Sequence, residues 1–240
     1  MTMATGMTRR GAILLAAAAA GVVAAPESAM AGRTTATGEA GADPWQHREC
    51  THARQMLRMA REIAATLRRL HGARFEQAFM AEMIPHHRMA IEMARMELER
   101  GQRVELKRMA QQIFDSQAEE IASMTRWLRE WYDVTPEQAM ATAPARLRVL
   151  MEAMEQHMQM GMDELAAVPS GARFDEAFMQ HMIPHHLTAV IEAKTVPGRA
   201  VHHALVNLAR NIIASQLREV AQMTAWLRAW FHTKPCVHWH

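Results

Sequence analysis

From Pro44 onward, apolar residues return at steps of three and four. Met151, Met154, Met158 and Met162 trace one stripe, and Met80 lies one near-turn before Met83, which stands three residues before His86 and four before His87. Such steps put side chains on one face of an α-helix, whereas a strand would alternate them. Glycine and proline are sparse after residue 44, strand-forming runs are absent, and Leu, Ala, Met, Glu and Arg dominate, so the pattern predicts an all-α protein. Six helices are expected, over 44–70, 73–100, 102–132, 144–167, 172–195 and 199–231. Gly72, Gly101, the Thr135-Pro136 region, Ser170-Gly171 and Pro197-Gly198 supply the breaks. Asp43-Pro44 offers the first N-cap and a first-turn proline.

The pattern is duplicated. Shifting the chain by 99 residues aligns Gly72–His87 with Gly171–His186 at 12 of 16 positions, and Ile113–Trp131 with Ile212–Trp230 at 11 of 19. Each repeat, 72–132 and 171–231, reads as a hairpin of two long helices. The first helix carries M-I-P-H-H; the second carries Gln117, Glu120, Met124, Trp127 and Trp131, matched by Gln216, Glu219, Met223, Trp226 and Trp230. One amphipathic hairpin cannot bury its own stripe, but two packed together close a four-helix bundle. Segments 44–70 and 144–167 do not match each other, so they are expected as an extra N-terminal helix and a crossover helix of one domain spanning 43–232.

The N-terminus changes the expected location. Thr8-Arg9-Arg10-Gly11 precedes an apolar run from Ala12 to Ala25, and Ala29 and Ala31 form an A-x-A cleavage pattern, so residues 1–31 read as a signal peptide. The run is shorter than the ~18 residues a span needs, and its paired arginines resemble a twin-arginine signal, with Ala12 where that pattern has Phe. Residues 32–42 read as a flexible leader. Without residues 1–31, the chain keeps 25 Lys+Arg against 24 Asp+Glu, a balance that gives no reason to invoke nucleic acid or an anionic membrane. No membrane span remains after signal cleavage.

Chemistry enters with sulfur and imidazole. Of 22 methionines, 18 follow residue 31. Met89, Met96, Met109 and Met140 are expected as core filling. Three histidines, however, have methionine three residues earlier: Met83 with His86, Met154 with His157, and Met182 with His185. Thioether and imidazole together suit a soft cation, Cu(I) first, with Cu(II) tolerated by the imidazoles; zinc would call for paired thiolates or three clustered histidines. The candidate metal set is therefore Met80, Met83, His86, His87 and Met124, with Met179, Met182, His185, His186 and Met223 in the second repeat, and Met154, His157 and Met158 between them. Adjacent helical residues point about 100° apart, so one histidine of each pair is expected to face the bundle axis. Pro85 and Pro184 either kink the helix there or begin a new one.

Gln117, Glu120, Gln216 and Glu219 recur on an inward or interhelical face, either hydrogen-bonding across helices or serving the metal. A di-iron carboxylate site needs Glu-x-x-His on two helices, but only Glu49 to His52 has that spacing, and Glu82 becomes His181 in the second repeat. Cys50 and Cys236 lie among histidines near the two mature ends, the latter in the tail 233–240; they form either a disulfide or a terminal copper site. No nucleophile with an adjacent base and no phosphate-cradling glycine loop is present.

These residues resemble the ferritin-like domain of unknown function numbered 305, DUF305. The resemblance rests on Phe75, Phe79, Met83, Ile84, His86 and His87 with Gln117, Glu120, Ile121, Met124, Trp127 and Leu128, and on their second copy from Phe174 to Leu227, where Val220 replaces Ile. It implies an exported bundle of two hairpins with a Met-rich linker, and some members of the family are linked to copper binding and tolerance. The resulting expectation is an extracytoplasmic, non-enzymatic protein that sequesters Cu(I) or passes it to a copper-handling partner protein. A ferritin-like oxidase of Cu(I) or Fe(II) and a metal-free helical interaction domain are the rival readings.

Overall fold

The computed structural model describes residues 44–237, except for the side chains of 44–49. The signal peptide, the leader, the Asp43 cap, His238 and His240 lie outside the described residues. Seven helices are present among them: α1 (Pro44–Leu67), α2 (Gly72–Arg100), α3 (Val104–Tyr132), α4 (Pro136–Thr142), α5 (Ala145–Ala167), α6 (Ala172–Ala193) and α7 (His203–Phe231). The all-α expectation holds, with no helix long and apolar enough to cross a membrane among the described residues. The unexpected α4 is capped by Thr135, whose hydroxyl accepts from Gln138 N–H while Gln138 Oε1 accepts from Thr135 N–H. This is a capping box followed by a first-turn proline.

α2 pairs with α3 and α6 with α7, while α2 and α6 meet each other. α1 lies on α6 and α5, and α5 also reaches α2, so the central pair is enclosed between the α3/α7 layer and the α1/α5 layer. Enclosure explains why α6 is buried on nearly every face from Phe174 to Ala193, as a helix without a solvent side must be. Phe75, Phe79, Phe174 and Phe178 are fully buried at equivalent points, each contributing about 1.5–3 kcal/mol by removal from water. Pro85 and Pro184 sit inside continuous helices, so neither begins a new one.

The hairpins hold each other by reciprocal caps. Glu76 of α2 accepts from the backbone N–H groups of Val201 and His202, at 2.7 and 2.8 Å, where α7 begins. Asp175 of α6, its counterpart, accepts from those of Gln102 and Arg103, at 2.7 and 3.2 Å, where α3 begins. Each carboxylate thus satisfies orphan donors at a helix start and faces its positive dipole end. Beside the caps, Trp131 stacks on His202 at 3.8 Å, and Arg103 lies over Trp230 at 4.3 Å. The chain between α6 and α7 is spent on these turns: Lys194, Val196 and Ala200 bond locally and Arg199 O accepts from Gly72 N, which delays α7 to His203 instead of residue 199.

Cys50 and Cys236 are joined as a disulfide. A terminal copper site on these thiols is thereby corrected, because sulfur shared in a disulfide is no thiolate donor.

Candidate metal centre

The duplicated M-I-P-H-H segments place four imidazoles where α2 crosses α6. All four are nearly or fully excluded from solvent. His86 and His185 face each other across the crossing with ring centroids 3.9 Å apart. His87 and His186, turned away by the helical step, address the second helix of their own hairpins: His87 Nε2 lies 2.7 Å from Glu120 Oε2 and His186 Nε2 lies 2.8 Å from Glu219 Oε2. The first contact is a hydrogen bond; the second has the distance of one without its angle. The inner member of each pair is therefore the first histidine.

Burial holds the inner imidazoles neutral. Removal from water, reinforced by the neighbouring histidines, pushes His86 and His185 well below the usual imidazole range, since a charged ring would lose its hydration. Burial works against the charge of Glu219, yet its contact with His186, with Arg218 nearby, holds that carboxyl below its ordinary value. The Nδ1 atoms of His86, His87 and His186 and both ring nitrogens of His185 make no hydrogen bond. Gln117 and Gln216 are buried on α3 and α7, each with its Oε1 unbonded.

The candidate methionines divide between two apolar cores. Met80, Met83 and Met124 pack with Phe75 and Phe79, together with Met154 and Met158 of the crossover helix. Met179, Met182 and Met223 pack with Phe174 and Phe178. Among the described residues, no group of three or more His, Cys, Asp or Glu side chains is placed to hold a metal ion. Any site built here must draw on thioethers.

Met158 and His185 do share a small cavity between α1, α2, α5 and α6. His157 lies behind its wall, stacked on His52 at 3.9 Å. The other donors around the cavity lay outside the candidate set: Met89 was expected as core filling, His181 was noted as the replacement for Glu82, Met162 belonged to the crossover-helix methionine stripe, His52 flanked Cys50, and Met56 and Met93 had no site role. The signal in the sequence was the break of the repeat at three positions, where His181, Met89 and Met93 stand against Glu82, Thr188 and Glu192.

The model of the DUF305 family, a domain of unknown function, matches residues 24–128 and 76–227. No curated protein matches the chain. Among solved structures, CopM in the Cu(I)-bound form is 32% identical, with a TM-score of 0.53, over 65% of this chain and 97% of its own. CopM in the Cu(II)-bound form is 31% identical, with a TM-score of 0.52 and the same coverage. A DUF305 protein from Streptomyces coelicolor is 25% identical, with a TM-score of 0.58, over 68% of this chain and 97% of its own.

Proposed function

The chain belongs to the DUF305 family, and from that premise we propose that it binds copper outside the cytoplasm, as Cu(I), on methionine and histidine side chains. The observation that carries the reading is the group of four imidazoles withdrawn from water at the α2–α6 crossing, flanked by methionine-rich cores. Neutral imidazole and thioether are ligands that soft ions prefer and that hard ions do not. The CopM structures, bound to Cu(I), Cu(II) or Ag, support a copper-related role for the shared fold. The Cys50–Cys236 disulfide supports an oxidising compartment, where such links persist, as does the signal-like N-terminus.

The role we infer is sequestration or hand-over to a partner without turnover of the ion. Anaerobic titration of the protein with Cu(I), against a colour-forming chelator, tests it. Withdrawal of at least one equivalent is expected, with no oxygen uptake when Cu(I) or Fe(II) is added in air. A chelator that keeps all the copper would end the binding reading, and sustained oxygen uptake would replace it with the oxidase.

A further inference from the structure

His86 and His185 are equivalent residues in unequal surroundings. On the His86 side, Nε2 is 2.7 Å from Thr188 Oγ1, and that hydroxyl donates to His185 O at 2.6 Å. Glu82 and Glu192 are buried nearby as interacting neighbours. Shifting each of these three positions by 99 residues gives the other side of the crossing: Thr188 becomes Met89, Glu82 becomes His181 and Glu192 becomes Met93. All three replacements line the cavity that His185 borders. The duplication has thus diverged coherently, with oxygen groups around one inner histidine and nitrogen and sulfur groups around the other.

The unduplicated helices complete only the second set. α1 contributes His52 and Met56, and α5 contributes Met158 and Met162. Gly161 of α5 makes the approach feasible: a Cβ there would stand 2.9 Å from His52 Nε2 and 3.3 Å from His181 Nδ1. A mid-helix glycine is less favourable than alanine, so the space it leaves for two imidazoles is a reason for its presence. His52 is held from behind by His157, whose Nε2–H donates to His52 O at 3.2 Å. The cavity measures about 10 Å³, on the order of the room one water requires. His52, Met89 and Met162 are half-buried, which leaves a path from the surface.

We propose that this cavity is a site for one soft monovalent cation, Cu(I) or its analogue Ag(I), held by His181 and His185 with thioethers of Met89, Met93 and Met158, and that the oxygen-lined counterpart around His86 takes no such ion. The proposal rests on the copper-binding reading and narrows it to one half of the duplicated core. The cavity presents more donors than one ion needs, so single deletions are partly covered and the test removes donors in pairs.

Anaerobic Cu(I) competition titrations on the full chain compare wild type with Met93→Leu/Met158→Leu, and with Met109→Leu/Met140→Leu as a control for loss of thioether elsewhere. The cavity pair is expected to weaken the tightest equivalent by about tenfold or more, while the control leaves it unchanged. In parallel, Ag(I) added to wild type is expected to move the ring-nitrogen NMR signals of His181 and His185, a measurement independent of how well any variant folds. If wild type takes no Cu(I), the copper-binding reading itself is lost. If wild type binds Cu(I) but the cavity pair binds equally well, or Ag(I) leaves His181 and His185 unmoved, the assignment to this cavity is overturned while copper binding stands.

Discussion

Glu76 shows how much one buried carboxylate can organise. Its side chain is fully buried and receives two backbone N–H groups at the start of α7, the His202 ring at 2.7 Å, and the Tyr132 hydroxyl. Burial alone would raise its pKa, but these bonds outweigh it and hold the carboxyl below the usual value. Glu76→Ala would remove the acceptor of both N–H groups and leave the start of α7 uncapped. A loss of about 1–3 kcal/mol is expected, measured as a lower midpoint in urea unfolding. Asp175→Ala should behave alike, because Asp175 does the same for α3. A midpoint unchanged in both variants would show that water replaces the carboxylates. Shift symmetry aligns Glu76 with Asp175 in the sequence, but does not show their backbone N–H donors, which lie more than a hundred and more than seventy residues away along the chain.

At the scale of helices, periodicity carried the reading far. The long helices fall close to where steps of three and four place them, because amphipathic stripes and glycine breaks are local signals. α4 was missed although Thr135-Pro-Glu-Gln138 is a capping-box signature; its seven residues are too few for a periodic stripe to stand out. The delayed start of α7 was illegible for another reason, since residues 194–202 are shaped by caps from α2. The link between α1 and the segment after α7 also depends on tertiary approach. Cys50 and Cys236 are 186 residues apart in sequence, and cross-linking so long a loop removes unfolded-state entropy worth about 4 to 5 kcal/mol in the chain-entropy description. Reduction, or the Cys50→Ser/Cys236→Ser variant, is therefore expected to lower the denaturant midpoint while leaving far-ultraviolet helicity intact below it. An unchanged midpoint would mean that the native packing of α1 against α5 and α6 already secures that end.

At the scale of residues 44–237 together, the sequence revealed which donors recur but not where they meet. His52, Met158 and His185 come from three separate helices, and only the enclosure of α2 and α6 between two layers brings them together. The same enclosure traps acids without water. Burial, followed by the nearby charge of Asp175 and opposed by Lys107, raises Glu97 to about 9, and burial raises Glu82 to about 7. A carboxyl whose folded value is raised keeps a proton that the unfolded chain has released above its ordinary value of 4.5. Its contribution to stability is therefore full below about pH 4.5 and is lost as pH rises toward the folded value. Glu97 thus lowers stability between those limits by on the order of 1 kcal/mol for each pH unit. Glu97→Gln keeps the shape and removes the titration, so its advantage over wild type in unfolding free energy should widen steadily from pH 5 to pH 8. The adjoining Gly101 must stay glycine in that comparison, since a Cβ there would meet the Glu97 carbonyl oxygen at 2.7 Å. A constant difference across the range would show that Glu97 is already ionised in the folded protein, with Lys107 or solvent carrying its charge.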